Sequence, residues 1–78
     1  MHDPAKFGVG TNVRITDRAT LEDFRLTWTL HNPLVTEQLE FAGAVAAVKW
    51  SGMYHGGDIL YELHGAPGIW HERLLEQA

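Results

Sequence analysis

The chain contains no cysteine. No disulfide can staple it, and no thiolate can attack a substrate or hold a metal. Nor does any run approach the ~20 apolar residues of a membrane-spanning helix. Basic residues are few: six Lys and Arg stand against ten Asp and Glu, for a net charge of −4. Lys6, Arg14, Arg18, Arg25, Lys49 and Arg73 are scattered singly. No positive stripe results that would displace the counterions of a nucleic acid. The only serine, Ser51, lies outside any nucleophile-elbow context. Carboxylate pairs such as Glu37 and Glu40 have the look of a solvated face, not of two oppositely tuned acid–base groups. The opening "MHDPAKFGVG" lacks a basic-then-apolar leader pattern. These absences predict a soluble cytoplasmic protein with no nucleic-acid partner, no membrane partner and no cofactor. They give no sign of catalytic activity by the chain alone.

What is present is an ordinary globular composition, 45% hydrophobic and 21% charged over 78 residues. That length predicts one domain with a narrow stability margin of roughly 3–5 kcal/mol. Residues 1–7, with Pro4 among them, are expected to form a flexible N-terminus, and 8–78 the single domain. In "FGVGTNVRITD", Val13 and Ile15 alternate with Arg14 and Thr16, the period of a half-buried strand. "ATLEDFRLTWTLHNPL" supports either a strand or a helix over about 20–29 capped by Thr20, and the cap favours the helix. "HNP" ends either element. "LVTEQLEFAG" can add one more helical turn before Gly43. "AGAVAAVKW" and "ILYELHG" alternate as strands, "SGMYHGGD" reads as a loop and "APG" as a tight turn. "GIWHE" and the end of "RLLEQA" supply short closing strands. Short strands joined by glycine-rich turns predict a mainly β fold, a small barrel or sandwich.

The order "VGTNVRI", "FAGAVAAV", "ILYEL", "GIWHERLLE" resembles the skeleton of the SH3-like barrels. It is most similar to the C-terminal domain of the nitrile hydratase β-subunit and its small stand-alone relatives. The resemblance spans roughly residues 7–77. It implies about five short strands with a short helical insertion after the first. In that enzyme the metal sits on cysteines of the other subunit, so the resemblance implies an accessory or partner-binding role for a chain without cysteine. The chain is also similar to the plasmid-type dihydrofolate reductase barrel. There Gly68 takes the place of the glutamine that contacts cofactor and substrate, so that activity is not carried over.

The stretch "WSGMYHGGDILYELHGAPGIWHE" holds two of three tryptophans, both tyrosines and three of five histidines. Tyr61 or Trp50 is expected in the core, and Tyr54 and Trp70, beside turns, at the surface. The predicted binding face for a partner protein, a second copy or a small ligand is Tyr54, His55, Asp58, Trp70 and His71. SH3-like barrels bind extended or proline-rich peptides in such aromatic grooves. No metal is expected. His55, His64 and His71, with Asp58 or Glu72, are the side chains that would hold one, but their spacing matches no compact ligand motif.

Overall fold

The first strand, β1 (Asn12–Ile15), buries Val13 and Ile15 completely and turns Asn12 and Arg14 to solvent, as the alternation predicts. The computed structural model describes residues 5–54 and 57–78. After β1 comes α1 (Arg18–Thr27), a helix and not a strand. Its cap is Asp17, whose Oδ1 accepts from the Thr20 backbone at 2.7 Å, so the helix starts two residues before the Thr20 expected as cap. This bond holds the Asp17 carboxyl below its ordinary pKa. Leu21 and Phe24 form its buried face. The helix stops when Trp28 takes up extended backbone and its indole Nε1 donates to the His31 carbonyl at 2.7 Å.

A 3₁₀ helix at Thr36–Phe41 follows, the extra turn expected before Gly43. Then β2 (Val45–Met53), β3 (Ile59–Leu63) and β4 (Ala66–His71) form a meander. A short 3₁₀ turn at Glu72–Leu74 leads into β5 (Leu75–Gln77). All pairings are antiparallel, in the order β4-β3-β2-β1-β5. The fold is mainly β, with five strands in one sheet and a short helix after the first, as the sequence predicts. Strand β2 serves both halves of the sheet. Its start pairs with β1 through Arg14↔Val45, and its end pairs with β3 through Met53↔Ile59. The register shifts between Val48 and Trp50, the place where the strand can bend. One apolar cluster includes Val13, Val48, Tyr61, Trp70 and Leu75, one side chain from each strand. Leu21 and Phe24 of α1 join the same cluster, so the helix packs on the core that all five strands share.

Several local expectations fail for identifiable reasons. "SGM" is strand, not loop, because Ser51 and Gly52 pair with Tyr61 and Leu60. Gly52 is narrow enough for the Trp50 ring, which sits within 2.5 Å of where a Cβ at position 52 would be. "APG" is not a turn but the start of β4. The turn is His64–Gly65, with Gly65 at φ 82°. Pro67 is tolerated because β4 is an edge strand. Residues 5–7 belong to the packed domain. Phe7 is buried, its N–H donates to the Tyr61 hydroxyl at 3.2 Å, and the Lys6 N–H donates to Glu72 at 2.9 Å. Residues 1–4 lie outside the described residues.

The open edge of β4 is partly covered by Gln38. Its side-chain Nε2 donates to the Ile69 carbonyl at 3.0 Å while its Oε1 accepts from Val35 N at 3.0 Å. Gly68, at φ 95°, lies beneath it, and a Cβ there would meet Gln38 Nε2 at 2.8 Å. The amide is held at both ends and cannot yield without losing a hydrogen bond. Gly65 has a similar φ but open space around it. Gly65→Ala should therefore cost about 1 kcal/mol for the left-handed backbone alone. Gly68→Ala should cost about 2–3 kcal/mol, because overpacking adds to that strain. Urea unfolding of the two variants side by side checks the difference.

Candidate functional site

Three connections meet at one end of the sheet: the segment after α1, the loop between β2 and β3, and the 3₁₀ turn before β5. The first contributes Trp28, His31 and Asn32. From the second come Tyr54 and Asp58, and from the end of β4 and the turn come His71, Glu72 and Arg73.

His31 is the hinge of the arrangement. Its Nε2 donates to Asp58 Oδ2 at 2.8 Å, and its Nδ1 lies 3.1 Å from the Asn32 side-chain oxygen. The imidazole stacks on Tyr54 with centroids 3.7 Å apart and planes 11° from parallel, and it meets Trp28 edge-on at 5.4 Å. His71, buried below, donates from Nε2 to the Asn32 carbonyl at 2.9 Å. Asn32 has φ 49°, a left-handed conformation that asparagine adopts more readily than most residues. His71 also packs against Phe24 at 4.8 Å and Trp28 at 5.0 Å. Phe24 and Trp28 stack on each other at 5.2 Å.

Beside this cluster is a cleft of about 200 Å³ lined by Gly57, Asp58, Ile59, His71, Glu72 and Arg73. Glu72 is fixed from behind. Its Oε2 accepts from the Tyr61 hydroxyl at 2.5 Å and from Lys6 N. Arg73 lays its guanidinium over Trp28 at 5.2 Å and Phe24 at 5.7 Å. Two other depressions are roomier. One of about 310 Å³ lies over β4, lined by Lys49, Glu62 and Pro67 among others. An open groove of about 750 Å³ runs between α1 and the 3₁₀ helix. Neither has the ring cluster or the convergence of connections found at the smaller cleft.

Of the residues singled out from the sequence, the structure brings Tyr54, Asp58 and His71 together. His55 lies outside the described residues. Trp70 does not reach the surface. It is wholly buried opposite Tyr61, and its Nε1 donates to the Ala66 carbonyl at 3.1 Å, so it is a core residue and not a docking residue. Trp50, one of two tryptophan or tyrosine positions expected inside, is 46% exposed, and Tyr61 is the one enclosed. His64 is exposed at the opposite end of the β3–β4 hairpin, roughly 13 Å along the strand from the position paired with His71. Among the described residues no three His, Asp or Glu side chains are grouped to hold a metal ion. Phe24, Trp28, His31, Asn32 and Arg73 were not legible as site residues. "HNP" carried the signal, since an asparagine before proline after a helix marks a turn that can present its neighbours.

Chemically, His31–Asp58 is an imidazole–carboxylate pair with no nucleophile hydrogen-bonded to it among the described residues. Both ring nitrogens face Asp58 and Asn32, so neither is directed at a hydroxyl that it could activate. Comparison with protein-family models, curated proteins and solved structures finds no match for this chain.

Two groups make the site's pH response readable. Burial, followed by the hydrogen bond to Glu72, pushes the Tyr61 phenol up from 10.0 to about 12. A raised pKa means the fold favours the neutral phenol. Its stabilisation is whole below pH 10 and is lost as pH rises from 10 to about 12. Tyr61→Phe should lack this alkaline decline, measured as urea midpoints across that window. Burial lowers the His71 pKa, with His31 adding to the effect and the Asn32 hydrogen bond opposing it. The fold here favours neutral His71, so its contribution is present above the ordinary value of 6.5 and is lost as pH falls below it. Thermal melts of His71→Gln should show a shallower loss of stability on acidification than the wild type.

Proposed function

We propose that the chain is a non-catalytic docking module that holds a partner protein at the end of its sheet, with Tyr54 and Asp58 as contact residues. The observation that carries this reading is the stacked His31–Tyr54 pair locked to Asp58. It places a half-exposed tyrosine at the rim of a cleft on a frame fixed by hydrogen bonds from three connections. Tyrosine is among the side chains that most often dominate interface energetics. Leu30 and Met53, the chain neighbours of the stacked pair, are 65% and 63% exposed, so the two segments that carry the pair also present apolar side chains to solvent. Rigid rings lose little entropy on binding, which favours such a patch as a platform. An accessory role of the kind implied by the nitrile hydratase resemblance is one form of this docking.

A photo-reactive phenylalanine analogue placed at Tyr54 should cross-link to a discrete partner in the native host. The same group at Val45, exposed at the far end of β2, should not. Equal cross-linking at both positions, or none at Tyr54, would overturn the docking reading.

A further inference from the structure

The cleft is walled by Arg73, and the same guanidinium covers the faces of Trp28 and Phe24. Among the described residues Arg73 forms no ion pair, although Glu72 is its chain neighbour and Asp58 lines the same cleft. A ring pair thus holds the chain's own cation in preference to the nearby carboxylates. Both carboxylates are oriented from behind, Asp58 through one oxygen to His31 and Glu72 through one oxygen to Tyr61 and Lys6. Each keeps a second oxygen for an incoming donor. Rotation of Arg73, an exposed side chain, would join the ring faces to the cleft and leave a slot with aromatic floor and acidic sides.

We infer that this slot is a subsite for an arginine side chain of the docked partner, which displaces Arg73 from Trp28 and Phe24 and lies between Asp58 and Glu72. The inference rests on the docking reading and names the chemistry that docking selects. Charge complementarity supports the occupant: the slot's two fixed charges are carboxylates, and the chain as a whole carries −4. Geometry supports a guanidinium over other cations. A planar guanidinium already rests on these rings, and the planar fork also matches a carboxylate. The resident Arg73 is a weak competitor, since it stacks on the rings without an ion pair. A partner arginine gains both interactions at once.

The test uses the full ¹⁵N-labelled chain and N-acetyl-arginine methylamide, with the citrulline analogue as neutral isostere. The readout is the Trp28 indole N–H, which is hydrogen-bonded to the His31 carbonyl and sits at the slot floor. The arginine probe should shift this resonance saturably and the citrulline probe should not. Arg73→Gln should tighten binding about three- to five-fold by removing the competitor. Asp58→Asn should weaken it by a similar factor, with unchanged dispersion elsewhere in the spectrum showing that the fold persists. Equal shifts from arginine and citrulline, or no saturable shift in either the wild type or Arg73→Gln, would overturn the inference. Cross-linking at Tyr54 without arginine binding would leave the docking reading standing and remove the subsite. Arginine binding without cross-linking would remove the docking reading and, with it, a docked partner as the source of the arginine.

Discussion

The Tyr61 hydroxyl is the point on which the remaining structure depends. It lies in the middle of β3, wholly buried, and a buried phenol must find partners or destabilise the fold. It finds two. It donates to Glu72 and accepts from Phe7 N. One oxygen thereby ties the chain's beginning, the central strand and the turn before β5. Glu72 and its neighbour Arg73 owe their position to this anchor, and with them one wall of the cleft. In a chain without disulfides, side-chain bonds of high sequence separation such as this one do the stapling that a cross-link would do elsewhere.

The second constraint is the pair of histidines. His31 and His71 sit 5.5 Å apart, one at the rim and one buried, and each is oriented through Asn32. The left-handed Asn32 lets one residue face both, with its side chain beside His31 and its carbonyl receiving His71. The segment after α1 is thereby held against the sheet by polar contacts at both ends and by ring packing between them. Such a segment is ordered without being part of a regular element. That combination suits a surface which must keep its shape for a partner.

Much of the sheet was legible before the structure, because alternation is a local signal. Val13 and Ile15, or Tyr61 and Leu63, announce their shared face by spacing alone. What was not legible depended on pairing across the chain. Ser51 to Met53 look like loop until Ile59 to Tyr61 supply hydrogen-bond partners, and "APG" looks like a turn until β3 claims it. The cap of α1 was misplaced by three residues because Thr20 and Asp17 are both plausible caps, and only the backbone geometry decides between them. The site suffered most. Tyr54, Asp58 and His71 were found because they lie in the dense aromatic stretch. Trp70, in the same stretch, is core, since cross-strand register pairs it with Tyr61. His31 was passed over because its role exists only through Asp58, twenty-seven residues away.

On the docking reading, stability and recognition are not separable in this molecule. The ring cluster runs without a break from Phe24, 6% exposed, through Trp28, His71 and His31 to Tyr54, 41% exposed. A group that packs on the outer rings therefore packs on the end of the core. On the docking reading, a partner that binds only the folded chain stabilises it by mass action, about 2.7 kcal/mol when present at 100 times its dissociation constant. That is comparable with the whole margin of roughly 3–5 kcal/mol expected for a domain of this size. Partner binding would then decide how much of the chain is folded as well as where the complex forms. The same coupling would act in reverse, because a change that loosens His71 or Tyr61 in the interior would also loosen the surface that the docking reading assigns to a partner.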